Sequence, residues 1–462
     1  MTFATTIGRY LLAHVLAIVS FLMAIALLKR TDGPRRPTGS TIAWLLAIVL
    51  VPYVGVPLYL VFGGRKLRRR AGRKQKLAEV VRDEEVKDPT PLVRMLCASG
   101  AAAPTAGNTV DLLPNGEEAY AAIMKALDEA TRTIDVSTLI FASDPTGRAI
   151  AAKLVDRAKG GIRVRVLVDA LFKFRSSRAQ NAALKAAGVE LAWFMPLVHL
   201  PFRGSANLRL HRKEVIIDDR LAIVGGTNLA EEYIGPTPLP GRWRDLSMRV
   251  IGPAVADIAD IFRADWSFAS KQRTDEPVVT RGVAGGVDIQ VVGSGPDVES
   301  DRIYDAFLTA VFDAKTRLWI ATPYFVPDDA LGRAISLAVR RGVDVTILVP
   351  FTSNHITADL AGAPSLRELA KEGAKIACYA PGMMHAKLVL VDDTLAILGS
   401  ANVDMRSLFL DYEIALFLAS KTEVQAIAGW FSSLLPDCRP LAKPGRTRMF
   451  FEDLVRLVAP LE

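Results

Sequence analysis

One pattern of residues occurs twice in this chain, and its repetition constrains the fold more than any other feature. A histidine is followed two positions later by a lysine, and five positions after the lysine by an aspartate. The two copies are 174 residues apart, and each continues into a glycine and an asparagine: His211, Lys213, Asp218, Gly225 and Asn228 in the first, and His385, Lys387, Asp392, Gly399 and Asn402 in the second. Such self-similarity indicates two copies of one structural unit.

The sequence around the motifs repeats the same order of secondary structure. Residues 117–130 and 301–314 have the polar and apolar pattern of helices, whereas 162–168 and 343–349 are short apolar stretches that predict buried strands. Helices that alternate with short apolar strands are typical of α/β proteins. We therefore predict an α/β fold that is built from a duplicated unit.

The N-terminus has a different character. Residues 11–28 and 42–62 are runs of 18 and 21 residues without Asp, Glu, Lys or Arg, and each is long enough to cross a hydrocarbon core of about 30 Å. Trp44 and Tyr59 place aromatic rings near the two ends of the second run, and its prolines are tolerated in spanning helices. We predict that residues 1–64 form two transmembrane helices.

Positive charge is concentrated beside these runs. Residues 1–76 carry a net charge of +12, whereas the other 386 residues carry −4. Four basic side chains lie between the runs and nine lie on the other side of the predicted bilayer, so the positive-inside rule places the N-terminus and the C-terminal domains in the cytoplasm. The basic segment and linker at 65–108 would attract anionic membrane lipid. Nucleic acid is a poor partner for the acidic remainder.

Three cysteines, Cys97, Cys378 and Cys438, are an odd number without CxxC spacing. They indicate neither a disulfide framework nor a structural zinc site, and they suit a reducing compartment. The sequence contains no phosphate-binding P-loop and no His, Asp and Glu cluster with metal-ligand spacing. We expect chemistry that requires no metal ion and no other cofactor.

The repeated motif suits a phosphate group. Residues 208–217 and 386–391 are predicted strands, from which a His and a Lys two positions apart project on one face. Lys and Asn side chains can hold anionic oxygens, while one imidazole attacks phosphorus and a second protonates the departing oxygen. One His from each copy would supply both roles. An Asp at the end of a strand is most often a turn residue, which is the role we expect for Asp218 and Asp392.

These residues resemble the paired motifs of the phospholipase D superfamily and, within it, the bacterial cardiolipin synthases. The resemblance rests on the apolar hairpin and on four further segments, 207–213, 243–245, 322–327 and 399–407. It implies two phospholipase D-like α/β/α sandwich domains that together form one active site. A transmembrane helical hairpin would precede them in the sequence. The domains would span 109–275 and 276–462, and the protein would be a multi-pass component of the bacterial inner membrane.

The resemblance also implies a mechanism. Two phosphatidylglycerol molecules would yield cardiolipin and glycerol through a phosphatidyl-histidine on His211, while His385 protonates the leaving glycerol and then activates the second lipid. An acid after each motif would orient a histidine. The implied site residues are the catalytic motif residues His211, Lys213, Asp218, His385, Lys387 and Asp392, the phosphate ligands Asn228 and Asn402, and the orienting acids Asp245 and Glu413.

Three other functions use the same sequence features. A hydrolase that releases phosphatidate would need the same residues with water as the acceptor, and a nuclease of the superfamily would share both motifs. The membrane hairpin and the acidic domains disfavour the nuclease, and a non-catalytic scaffold would need neither histidine. The acceptor could be phosphatidylglycerol, phosphatidylethanolamine or a free alcohol, and the sequence leaves the oligomeric state open.

Two further apolar segments lie outside the repeated motif. Residues 193–202 are interrupted by prolines and could either enter the bilayer or, as we expect, pack in the core. Residues 449–461 have an amphipathic pattern that predicts a helix docked on the second domain.

Overall fold

A computed structural model gives the three-dimensional structure of the chain. It describes residues 3–28, 38–62, 88–196, 208–272, 282–298 and 300–458. The basic cluster at 65–76 and residues 197–202 of the apolar segment 193–202 therefore lie outside the described residues.

The described residues of the N-terminal part form three helices: α1 (Phe3–Leu28), α2 (Thr38–Leu50) and α3 (Pro52–Phe62). The second apolar run is therefore two helices and not one kinked helix, because Pro52 has no N–H to continue the hydrogen-bond ladder. The α2 and α3 helices pack together, with the rings of Trp44 and Tyr59 in edge contact at a centroid distance of 5.4 Å. Within the described ranges, no helix combines the length and apolar character needed to span a membrane.

The first half matches the predicted order of elements. Its helices and strands are α4 (Pro91–Ala98), β1 (Thr105–Leu113), α5 (Gly116–Glu129), β2 (Thr133–Thr138), α6 (Pro145–Lys159), β3 (Arg163–Asp169), a 3₁₀ helix (Ala170–Arg175), α7 (Arg178–Ala186), β4 (Glu190–Phe194), β5 (Glu214–Ile217), β6 (Leu221–Gly225), β7 (Ser247–Ile251) and α8 (Ala254–Ser270). The helix predicted at 117–130 and the strand predicted at 162–168 are confirmed as α5 and β3, each within one residue.

The second half repeats this order. Its elements are β8 (Val287–Ser294), α9 (Arg302–Asp313), β9 (Arg317–Ala321), β10 (Phe325–Val326), α10 (Asp329–Arg340), β11 (Asp344–Pro350), α11 (Ile356–Glu372), β12 (Lys375–Tyr379), β13 (Leu388–Val391), β14 (Leu395–Gly399), β15 (Val403–Asp404), α12 (Met405–Phe409), β16 (Glu413–Leu418), α13 (Lys421–Leu434), a 3₁₀ helix (Leu435–Asp437), β17 (Cys438–Pro440) and α14 (Arg446–Val458). The expected C-terminal helix is α14, which docks on α11 through an ion pair between Arg367 and the buried Glu452.

The two halves share one hydrogen-bonded sheet of 15 strands. Its order is β17-β12-β11-β9-β13-β14-β16-β8-β1-β7-β6-β5-β2-β3-β4. Strands β2, β3 and β4 are parallel, as are β9, β11 and β12 in the second half. The halves join where β1 pairs with β8 in an irregular antiparallel register. The sequence predicts two sandwiches, but it contains no signal for this continuous pairing.

Side chains alternate across the sheet and bury both of its faces. In β5, Val215 and Ile217 join a core that includes Ile150 of α6, whereas Ile216 points to the opposite core beside Phe262 of α8. Helices therefore cover both faces of the first half, as an α/β/α sandwich requires. The core that contains Phe262 also includes residues of the second half.

Both motifs lie at the carboxyl edge of the parallel strands. Glu214 of β5 is opposite Ser137 near the end of β2, and Leu388 of β13 is opposite Ala321 at the end of β9. In each half the His and the Lys precede the regular strand, so the predicted strands 208–217 and 386–391 begin too early. Ligands of open α/β sheets bind at this edge.

Candidate active site

The two motifs are joined through backbone hydrogen bonds between the halves. The N–H of His211 donates to the carbonyl of Tyr412 at 3.0 Å, and the N–H of His385 donates to the carbonyl of Arg244 at 2.7 Å. Tyr412 and Arg244 each precede one of the two acids that the resemblance assigns to the site. The same short strand contact therefore occurs twice and brings each histidine next to an acid of the opposite half.

The side chains complete this exchange. Nδ1 of His211 lies 2.8 Å from Oε1 of Glu413, and Nδ1 of His385 lies 2.6 Å from Oδ2 of Asp245. Both acids are fully buried, with side-chain exposures of 0% and 1%. When Nδ1–H donates to a carboxylate, the tautomer is fixed and the Nε2 lone pair is available to a substrate. Nε2 is then the ring nitrogen with the lone pair in each imidazole, and that of His385 lies 3.1 Å from Nζ of Lys387.

Burial and neighbouring charges set the protonation of these pairs. Burial lowers the pKa of His211 to about 4, although Glu413 opposes the shift. Burial, followed by the charge of Lys387, lowers the pKa of His385 to about 3 against the effect of Asp245. Burial raises the pKa of both acids, but their contacts with the histidines and lysines outweigh it and leave each pKa below its usual value. At pH 7 both imidazoles are neutral and both carboxylates are ionised.

The two lysines also have shifted pKa values. Burial lowers the pKa of Lys213 to about 7 and that of Lys387 to about 8, in both cases against the attraction of the site carboxylates. Each ammonium group donates to the backbone carbonyl of its own motif histidine, and Nζ of Lys387 lies 3.0 Å from Nδ1 of His385. An anionic oxygen in the site would stabilise the protonated form of both lysines.

The two motif asparagines contact different neighbours. Oδ1 of Asn228 accepts from the N–H of Ile140 at 3.3 Å, and the same side chain also contacts Tyr233. The side chain of Asn402 hydrogen-bonds to Asp404, and the atom it leaves without a partner there is the acceptor Oδ1. Each asparagine side chain therefore already contacts a neighbouring polar group, and the role of both as phosphate ligands stays a prediction.

Asp218 and Asp392 lie at the far ends of their strands. Asp218 accepts the backbone N–H groups of residues 131–133 at 2.7–2.8 Å, and Asp392 accepts those of residues 315–317 at 2.8–3.2 Å. Both have positive φ angles, of 54° and 52°. At about 3.3 Å per residue, each is roughly 16 Å along the chain from the motif lysine. These contacts are structural, so the inclusion of both aspartates in a catalytic set is not supported by their position.

Arg212 was not singled out from the sequence. It lies between His211 and Lys213, is fully buried, and donates from Nε to the carbonyl of Glu413 at 3.0 Å and from Nη2 to the carbonyl of Ser294 at 3.0 Å. Its guanidinium also pairs with Asp265 of α8. Arg212 therefore fixes the backbone of the acid that contacts His211. Ala386 occupies the corresponding position in the second half.

The small residue next to each acid differs between the two halves. The hydroxyl of Ser400 donates to Glu413, while a Cβ atom at Gly226 would lie 2.5 Å from Oδ1 of Asp245. The rings of Tyr233 and Trp243 pack on His385, at centroid distances of 5.0 and 5.1 Å. His385 is consequently the more enclosed imidazole, with 5% exposure against 12% for the His211 side chain.

Other residues named from the sequence have structural contacts. Phe194 of the apolar segment at 193–202 is buried and contacts the ring of Tyr412, as expected for core packing. Within the described ranges, no group of three or more His, Cys, Asp or Glu side chains is arranged to hold a metal ion.

Two protein-family models match the chain. One, described as a cardiolipin synthase, phospholipase D-like domain, matches residues 123–266 and 308–435, which include both motifs. The other, described as a phospholipase D-nuclease N-terminal region, matches residues 15–64. The chain belongs to the cardiolipin synthase family of the phospholipase D superfamily.

Curated members of the cardiolipin synthase family are similar over most of their length. Cardiolipin synthase 1 of Bacillus anthracis is 33% identical, with 92% of this chain and 90% of the relative covered. The major cardiolipin synthase of Bacillus subtilis is 32% identical, with 91% and 92% covered. Among solved structures, phosphatidylserine synthase of Haemophilus influenzae has a TM-score of 0.57 at 13% identity, covering 76% of this chain and 94% of that one. That likeness concerns the fold alone.

Proposed function

We propose that this chain is a membrane-bound phosphatidyltransferase that makes cardiolipin and glycerol from two phosphatidylglycerol molecules. The observation that carries the proposal is the pair of exchanged contacts, His211 with Glu413 and His385 with Asp245, which supports a role for both imidazoles in one reaction. A covalent intermediate needs a nucleophile and a separate acid–base group, which the two imidazoles would supply. Water could resolve the same intermediate, so the choice of a lipid acceptor is supported by family membership and not by the two histidines. Membership of the cardiolipin synthase family supports phosphatidylglycerol as the lipid.

In the first step, neutral Nε2 of His211 attacks the phosphorus of the donor lipid. The P–O bond to the glycerol headgroup breaks, and His385 transfers a proton from Nε2 to the departing oxygen. His385 must be protonated for this, so we propose that the anionic phosphodiester raises its pKa by offsetting the charge of Lys387. Lys213 and Lys387 would hold the phosphate oxygens, with the two motif asparagines assisting. The product is a phosphatidyl-histidine and free glycerol.

In the second step the phosphatidyl group is transferred from His211 to a second lipid. Neutral His385 removes the proton from the headgroup hydroxyl of a second phosphatidylglycerol, and that oxygen attacks the phosphorus on His211. The P–N bond breaks, cardiolipin leaves, and both imidazoles return to their first protonation state. The greater exposure of His211 favours it as the residue that carries the bulky intermediate.

The location of the catalytic part belongs to the same proposal. The charge distribution of the N-terminal region supports a multi-pass protein of the bacterial inner membrane with residues 88–458 in the cytoplasm. Cysteine accessibility in intact cells tests this orientation. A membrane-impermeant thiol reagent should leave a cysteine placed at exposed Phe312 unlabelled until the cells are lysed, and labelling in intact cells would contradict the proposed orientation.

Product analysis tests the reaction itself. Purified full-length protein would be added to phosphatidylglycerol vesicles that contain a chelator, and the lipids and glycerol would be quantified. We expect cardiolipin and glycerol in equal amounts, with neither product from His211→Ala or His385→Ala. Phosphatidate without cardiolipin would instead make the protein a hydrolase, and dependence on an added metal ion would contradict the metal-independent mechanism.

A further inference from the structure

A cavity of about 240 Å³ lies in the second half of the chain. Its walls come from the carboxyl ends of β9 and β11, from β12, from α11 and from the segment that leads into α14. The interior is apolar and consists mainly of buried side chains: Phe325, Val349, Ala363, Leu366 and Cys378. Burial raises the pKa of the Cys378 thiol to about 11, which is the effect of a surrounding with little water.

The cavity is connected to the catalytic segment. Phe325, in its wall, pairs in parallel with Val403, the residue after Asn402. The hydroxyl of Thr322 accepts from the N–H of Val403 at 3.1 Å and donates to the carbonyl of Tyr324, another wall residue. One side of the cavity is therefore hydrogen-bonded to the loop that follows the second motif.

Polar groups occur among the more exposed lining residues. Arg367 and Arg448 both pair with the buried carboxylate of Glu452, and Asp359 and Thr352 also line the cavity. Phe351 lines it while remaining 44% exposed, and Phe450 and Phe451 follow Arg448 with exposures of 64% and 48%. Because both arginines are paired with Glu452, the feature that matters for a ligand is the apolar interior with an exposed aromatic ring, Phe351, at its border. This arrangement suits an apolar chain that enters from a membrane.

We propose that this cavity binds one acyl chain of a membrane phospholipid while its headgroup is in the active site. The chain would pass over Phe351 and lie between Val349, Leu366 and Cys378. The site would thus contribute binding energy through each buried CH₂ group, independently of the headgroup contacts. This proposal rests on the proposed function only in that it takes phospholipid to be the ligand.

Crosslinking tests occupancy without requiring turnover. Full-length protein would be reconstituted in vesicles that contain phosphatidylglycerol with a photoactivatable diazirine in one acyl chain, and labelled peptides would be identified by mass spectrometry. We expect labelling of peptides that contain Leu366 or Cys378. Ala363→Phe, which fills the cavity, should reduce this labelling about tenfold or more, given the contribution of each buried CH₂ group. Ala370→Phe, at an exposed position on the same helix, should not reduce it.

A second measurement guards against a folding defect in the filled variant. Ala358→Phe, nearer the mouth, and Ala363→Phe should both lose turnover of long-chain phosphatidylglycerol while retaining turnover of the dihexanoyl lipid. Equal labelling in wild type and both filled variants, or an equal loss of activity with both lipids, would overturn the chain site. Labelling of the cavity without any cardiolipin product would overturn the proposed function and leave the chain site supported.

Discussion

His211 and Glu413 are 202 positions apart in the sequence, yet Nδ1 of the histidine lies 2.8 Å from the carboxylate of the glutamate. The reciprocal contact joins His385 to Asp245 at 2.6 Å. Neither copy of the repeated unit therefore contains a complete His–acid pair by itself. The two His–acid contacts form only when the halves pack together, and Arg212 and the β1–β8 pairing also lie at this junction.

Removal of either carboxylate charge should reduce activity without unfolding the protein. We expect Glu413→Gln and Asp245→Asn to lower kcat by about 10²- to 10⁴-fold, because the amide no longer fixes the tautomer that leaves Nε2 free. Glu190→Gln, at a partly exposed ion pair with Arg163, serves as the control and should retain activity. Vesicle assays and thermal unfolding would measure both properties. Full activity in Glu413→Gln would contradict the proposed orienting role.

The glycine beside Asp245 should be needed for the position of the acid. Gly226→Ala would bring a Cβ atom to within 2.5 Å of Oδ1 unless Asp245 moves, and a displacement of about 1 Å can cost on the order of 10² in rate. Ser400→Ala removes only the hydroxyl that donates to Glu413, so its effect should be smaller. Measurement of kcat for both variants checks this prediction. A larger loss of kcat in Ser400→Ala than in Gly226→Ala would contradict it.

Activity and stability should respond oppositely to alkaline pH. The pKa values of Lys213 and Lys387, about 7 and about 8, lie below the usual 10.5, so the unfolded chain binds more protons over this interval. Stability should therefore rise from pH 7 to 10, whereas kcat/KM should fall as the lysines lose the charge that binds phosphate. Lys213→Arg should extend the active range upward. The melting temperature and kcat/KM would be measured over the same pH range. If both rose or both fell with pH, the assigned lysine pKa values would be wrong.

The motif aspartates should affect stability more than chemistry. Asp218→Ala removes the acceptor of three backbone N–H groups and places alanine at a positive φ angle, which should cost about 1–3 kcal/mol of unfolding free energy. Activity per folded molecule should remain within a few-fold of wild type. Asp219→Asn, at the adjacent positive-φ position, is the comparison. A large loss of kcat in Asp218→Ala at an unchanged melting temperature would indicate that Asp218 is catalytic.

Local patterns predicted local structure well. Helix α5 and strand β3 follow the periodicity of residues 117–130 and 162–168 within one residue, because their apolar positions must face a core. The strand boundaries at the motifs were wrong, since His211 and Arg212 hydrogen-bond to the backbone of the opposite half before the strand begins. Pro52 divided a run that hydropathy alone treats as continuous.

The composite site was only partly predictable. The motif residues followed from the repeat, and Asp245 and Glu413 came from family resemblance, but no sequence pattern indicated that each acid contacts the histidine of the other half. That exchange depends on long-range packing. The role of Arg212 was missed because a charged residue between His211 and Lys213 is unremarkable in sequence and becomes informative only through its buried contacts with Glu413 and Ser294.

The proposed mechanism gives the two histidines different roles, and a burst experiment distinguishes the nucleophile from the acid. The donor would be phosphatidyl-p-nitrophenol, whose leaving group needs no proton from the enzyme. His385→Ala should release one equivalent of nitrophenolate and accumulate a lipid adduct on His211, whereas His211→Ala should release none. A burst with an adduct in His211→Ala would contradict the mechanism.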